Sequence, residues 1–86
     1  MDKALLEFPC HIDVKVMGRA EQDFTKLVTK LVRQHVPDIS DSAIRTRPSR
    51  NGNYVAVTIS VYAESRDQMD ALYRELSAHE KIALAL

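Results

Sequence analysis

Three histidines, one cysteine and a scatter of carboxylates are the residues of this chain with the means to do chemistry. A metal centre needs three or four converging ligands. His11 lies in an alternating stretch, His35 late in a helical one and His79 after a second. No two histidines share a helix turn. Cys10 and His11 are neighbours in an alternating segment, so their side chains take opposite faces. No metal site and no cofactor is expected. Cys10 as a nucleophile needs a lowered pKa and an accessible sulfur. Its parity turns it toward the apolar side, where it serves as a small hydrophobe. The loop Ser49-Arg50-Asn51-Gly52-Asn53 invites comparison with a phosphate loop. It lacks the glycine spacing, the lysine and the following helix of one. The carboxylates Asp67, Asp70 and Glu75 mark a solvated helix face, with no pairing that suggests general acid–base work. The chain reads as a non-enzyme.

The segments that carry these residues are set by periodicity. From Tyr54 to Tyr62, Val55, Val57, Ile59 and Val61 alternate with Tyr54, Ala56, Thr58, Ser60 and Tyr62. Period two is a strand signal with one apolar and one mixed face. Cys10, Ile12, Val14 and Val16 repeat the pattern in a first strand, closed by Gly18 where the chain turns tightly toward a helix. Phe24, Leu27, Val28, Leu31, Val32 and Val36 follow at helical spacing, until Pro37 ends the helix. Asp38 to Ser42 form a polar connection. Ile44 to Arg47 make a short strand stopped by Pro48, and Asn51-Gly52 supplies a hairpin turn. Ser65 and Gln68 have the spacing of a capping box. Behind them Met69, Leu72, Tyr73 and Leu76 form a second helical stripe. Lys81 opens a last strand, with Ile82, Leu84 and Leu86 on one face and Ala83 and Ala85 on the other.

Strand, helix, strand, strand, helix, strand is the order of a ferredoxin-like α/β sandwich, in the α+β class. Right-handed crossovers place both helices on one face of a four-stranded antiparallel sheet of order 4-1-3-2. Residues 1–86 make one domain, with residues 1–9 an extension over the end of the core. Leu5, Leu6, Phe8 and Pro9 supply its apolar contacts. A chain of 86 residues buries only about 60–65% of its unfolded surface, which leaves little room for a sequestered active site.

Twelve basic residues balance twelve acidic ones, so no global field draws the protein to nucleic acid or anionic lipid. One cysteine excludes an internal disulfide and suits a reducing compartment. No apolar run approaches a membrane span or a signal peptide. A cytoplasmic protein without a membrane partner is expected, as a monomer or weak homodimer.

Leu5-Leu6-Glu7-Phe8-Pro9, Lys15-Val16-Met17-Gly18, and Ser49 followed by Gly52-Asn53-Tyr54 resemble the YbeD-like family of small uncharacterised bacterial proteins over essentially the whole chain. The resemblance implies a ferredoxin-like fold similar to the ACT regulatory domains, a gene-neighbourhood link to lipoate metabolism, and no catalytic residue. A regulatory or adaptor module follows, binding a protein partner or a small acidic metabolite.

Two surfaces are candidates. An ACT-like ligand site falls at Gly18 and Arg19, where helix-start amides can receive an anion. The open sheet face and its hairpin offer Arg45, Arg47, Arg50, Asn53, Tyr54 and Tyr62. Small residues Ala56, Ser60, Ala83 and Ala85 flatten that face for a partner. The uncharged fourth strand is an unguarded edge. Single-stranded RNA is the competing occupant, since RNA-recognition motifs stack bases on such a face. Against it, the tyrosines stand at opposite ends of their strand, and Asp13 puts a negative charge on the first strand, where an RNA-recognition motif wants a stacking platform.

Overall fold

Alternation and helical stripes resolve into six main elements in a computed structural model that describes residues 7–86. They are β1 (Cys10–Arg19), α1 (Phe24–His35), β2 (Ile44–Pro48), β3 (Tyr54–Ala63), α2 (Arg66–Ala78) and β4 (Ile82–Ala85). A single 3₁₀ turn at Asp41–Ala43 precedes β2. The sheet order is β2-β3-β1-β4, which is the expected 4-1-3-2 read from the other end. β1 pairs with β3 over ten residues, from Cys10 opposite Ala63 to Arg19 opposite Tyr54. All three pairings are antiparallel, and the fold is the ferredoxin-like sandwich.

One face of the sheet carries the core. Val14 and Val16 of β1 meet Val57, Ile59 and Val61 of β3, and all five are sealed from solvent beneath Val28, Val32, Leu72 and Leu76 of the helices. The core holds no buried polar or charged residue among the described ones. Nothing there competes with apolar burial, at about 25 cal/mol per Å² the main stabilising term in such a layer.

Helix ends follow their residues. α1 starts at Phe24, later than the start of the pattern near Glu21, and stops at His35 just before Val36 and Pro37. Ser65 caps α2, its Oγ accepting from the Gln68 amide at 3.1 Å. The return half of the box is modified. Gln68 Oε1 accepts from the Glu64 amide, one residue before the cap, and Nε2 donates to the His35 carbonyl at 3.0 Å. One glutamine thus ties the start of α2 to the end of α1.

The connection from α1 to β2 is less open than its polar composition suggests. Ile39 is buried in the core. Arg33 fixes that loop, donating to the Ile39 carbonyl from Nε at 3.1 Å and Nη2 at 2.8 Å, and pairing with Asp41 at 3.0 Å. In the hairpin only Gly52 takes positive φ, at 77°; Asn51 does not share that role. Ser49 Oγ accepts from the Tyr54 amide at 3.0 Å and closes the loop.

Two expectations fail at β4. The register slips between Met17 and Gly18, so that Gly18 faces Ile82 while Met17 faces Leu84 and Val16 faces Ala85. This bulge sets an extra residue, Ala83, between the two registers. Ile82 stays on the core side, but Leu84 and Leu86 emerge on the opposite face, 46% and 60% exposed. Ala85 turns inward and packs against the core, so it does not flatten the open face. A one-residue slip exchanges the faces of everything beyond it.

Gly18 also differs from expectation. β1 continues through it to Arg19, and it lacks positive φ. Its smallness is what matters: a Cβ there would lie within 2.6 Å of both the Phe24 ring and the Lys81 carbonyl.

Half-buried Tyr73 donates its hydroxyl to the Leu86 carbonyl at 2.8 Å, fastening α2 to the end of β4. Burial pushes the Tyr73 phenol above its ordinary pKa. The folded state therefore holds this proton to higher pH than the unfolded chain does. Its contribution is fully present below about pH 10 and is lost as pH rises through the folded value. Tyr73→Phe should cost about 1 kcal/mol near neutrality and show a shallower alkaline fall in urea-unfolding stability. An unchanged alkaline slope would rule out this linkage.

Candidate functional site

The open face of the sheet is laid out by register. Opposed residues of an antiparallel pair point the same way, so the face reads in rows across β2, β3, β1 and β4. One row is Arg45, Thr58, Lys15 and Leu86, closed by reciprocal backbone bonds between Lys15 and Leu86 at 3.0 and 2.8 Å. The next is Arg47, Ala56, Met17 and Leu84. Tyr54 beside Arg19 forms the end row. In the other direction come Ser60 beside Asp13, then Tyr62 beside His11. The exposed large hydrophobics among the described residues are Tyr54, Tyr62, Leu84 and Leu86. The first three lie on this face by register. Leu86, opposite Lys15, also borders the hollow formed by Phe8, Ile12, Met69 and Tyr73.

Its electrostatics are one-sided although the chain is neutral. On the described strands Lys15, Arg19, Arg45 and Arg47 share the face with one carboxylate, Asp13, while Glu21 and Glu80 border the hollow beside Arg19 and Tyr54. Asp13 accepts from Arg45 at 3.3 Å and from Ser60 Oγ at 2.9 Å. Lys15, Arg19 and Arg47 have no carboxylate within ion-pair distance among the described residues. Asp13 offsets one of the four cations on these strands, so the face keeps a positive balance.

Of the predicted site residues, Arg19, Arg45, Arg47, Tyr54 and Tyr62 share this face. Arg50 and Asn53 sit in the hairpin beyond its Tyr54 end. The Asn53 carbonyl accepts from the Ala20 amide at 2.9 Å, fixing the hairpin to the end of β1. Gly18 is on the core side, away from Arg19. At the α1 start the Phe24 amide donates to the Glu21 carbonyl at 3.1 Å. Asp23 is exposed beside it, and Glu21 is occupied by Lys81 at 3.3 Å, so the Asp23 carboxylate disfavours an arriving anion.

The sequence reading missed Met17, Leu84 and Leu86 on this face. Met17 was legible from its parity on β1; Leu84 and Leu86 were not, because the bulge reverses them. It also placed Glu75 on a solvated face. Glu75 Oε2 instead meets His35 Nε2 at 2.5 Å, joining α2 to α1 where both are partly buried. His11 packs against Tyr62 with ring centroids 5.0 Å apart, and His79 Nδ1 accepts from the Lys81 amide. Each histidine thus has a local structural partner. No group of three or more metal-ligating side chains converges among the described residues. The partly buried Cys10 opposes buried Ala63 on the core side. Leu5 and Leu6 lie outside the described residues, whereas Phe8 packs against the core.

Fold and site together define a small ferredoxin-like sandwich with a basic, partly apolar open sheet face. No helix among the described residues is long and apolar enough to cross a membrane. The chain belongs to a family of small uncharacterised bacterial proteins, described as Protein of unknown function (DUF493), whose model matches residues 3–86. It is 38% identical to UPF0250 protein NE1487 of Nitrosomonas europaea, over 99% of this chain and 98% of that one. A UPF0250 protein of Neisseria gonorrhoeae is 42% identical over 96% of this chain and 91% of its own length. The solution structure of protein HP0495 from H. pylori matches with a TM-score of 0.70 at 15% identity, covering 98% of this chain and 88% of that one. It supports the fold alone. The YbeD-like resemblance agrees with this membership.

Proposed function

We propose that the protein is a non-catalytic adaptor or regulatory module of the bacterial cytoplasm, acting by reversible docking of an acidic protein partner on its open sheet face. One observation carries this reading: exposed large hydrophobics collect on that face alongside Lys15, Arg19 and Arg47, three cations with no ion-pair partner among the described residues. Apolar surface gathered on one face and rimmed by charge is characteristic of interaction sites. The geometry favours a protein over a small acidic metabolite. Gly18 is packed against Phe24, and the nearby helix start carries Glu21 and Asp23.

Single-stranded RNA is the second reading, supported by the same cations and by Tyr54 and Tyr62. Those tyrosines stand eight residue steps apart on one strand, about 26 Å at roughly 3.3 Å per step. Ala56, Thr58 and Ser60 lie between them, so neighbouring bases lack a shared stacking platform.

A photo-crosslinking residue at Thr58, compared with one at Lys30 on α1, tests the reading in the producing cell. A single protein adduct from position 58, absent from position 30 and lost with Arg47→Glu, is the expected result. Adducts to RNA at position 58, or equal protein adducts from both positions, would overturn it.

A further inference from the structure

The geometry points to the form of that partner: an acidic amphipathic helix lying along the strands, one flank apolar and the other rich in carboxylates. This rests on the docking reading above and narrows it. The face is divided lengthwise. Leu84 and Leu86 on β4, with Met17 beside them on β1, make an aliphatic side; Arg45 and Arg47 on β2 make a cationic one. Between them the floor is low, because β3 presents Ala56 and Thr58 in the two central rows.

From β2 to β4 is three strand spacings, about 14 Å. A helix with its side chains is about 10–12 Å across, so it fits over the small residues with one flank against each border. The aliphatic border needs aliphatic or aromatic side chains, which a phosphate backbone does not provide. The cationic border needs carboxylates, and Lys15 lies within the floor to reach a third. A second copy laid face to face would bring two net-basic faces together, which is repulsive and makes a partner rich in carboxylates the better complement.

The test uses the intact protein and a synthetic helical peptide of about four turns, with leucines along one flank and glutamates along the other. Backbone amide shifts are followed by NMR at low salt. Shifts confined to the open face, centred on Met17, Ala56, Thr58 and Leu84, are expected. Arg47→Glu and Leu84→Asp should each weaken binding about tenfold, equivalent to about 1.4 kcal/mol, with folded spectra retained because both positions are exposed. A peptide with lysines replacing its glutamates should not shift these amides. No open-face shift at millimolar peptide overturns the helix assignment, and a Thr58 protein adduct obtained alongside would leave the docking reading standing. Open-face shifts with a single-stranded RNA oligomer and none with the peptide would remove both.

Discussion

Gly18→Ala should destabilise the protein by about 3 kcal/mol, the upper part of the usual range for overpacking a filled interior. The added methyl would lie 2.4 Å from Phe24 Cε1, 2.5 Å from Cζ and 2.6 Å from the Lys81 carbonyl oxygen. None of these is the free end of a flexible chain. The Phe24 ring is buried at the start of α1, and Lys81 leads directly into β4. Relief requires moving a helix terminus, an edge strand, or both. For a domain of this size the melting temperature should fall by roughly 15–20 °C. Phe24→Leu, which trims the ring, should make the same glycine substitution less costly, by a coupling of about 1 kcal/mol in a double-mutant cycle. A loss below about 0.5 kcal/mol for Gly18→Ala would place this position among ordinary surface sites and contradict the packing described.

Leu72→Ala and Leu84→Ala form the second test, and their difference is the quantity of interest. Leu72 is sealed beneath α2 with no exposed surface. Truncating it removes packing and leaves a void, for about 3 kcal/mol or somewhat more. Leu84 lies on the far side of the sheet beyond the bulge, and its truncation should cost about 0.5 kcal/mol or less. If simple alternation held through β4, Leu84 would share the face of Ile82 and its loss would approach that of Leu72. Urea denaturation of both variants decides the matter. Equal losses would refute the register slip, and with it the aliphatic border of the open face.

These variants also mark where sequence stops predicting structure. β1 and β3 were legible because ten-residue strands repeat one alternation often enough to fix both face and register. Ser65 and Gln68 announced the α2 cap through a local pattern whose partners lie within one turn. The other half of that pattern was not legible. Gln68 reaches the His35 carbonyl thirty-three residues away, a contact that requires the helices to be packed first. The same holds for Glu75 and His35, forty residues apart. β4 failed for a different reason. Four residues carry too little alternation to outvote a bulge, and the slip depends on how closely β4 approaches the side-chain-free position at Gly18. Of the candidate site, the basic and tyrosine positions on long strands were readable from parity. Its aliphatic border was hidden by a single extra residue.

The two margins of the sheet have unequal futures. β2 ends in Pro48 and carries Arg45 and Arg47, while β4 runs uncharged from Ile82 to Ala85 with no strand beyond it among the described residues. Proline and charge discourage edge pairing, whereas an uncharged margin permits it. Lateral growth is therefore favoured from the β4 side. Once that side is taken, by whatever strand, the blocked margin is all that remains, and growth through the sheet terminates rather than running on into a fibre.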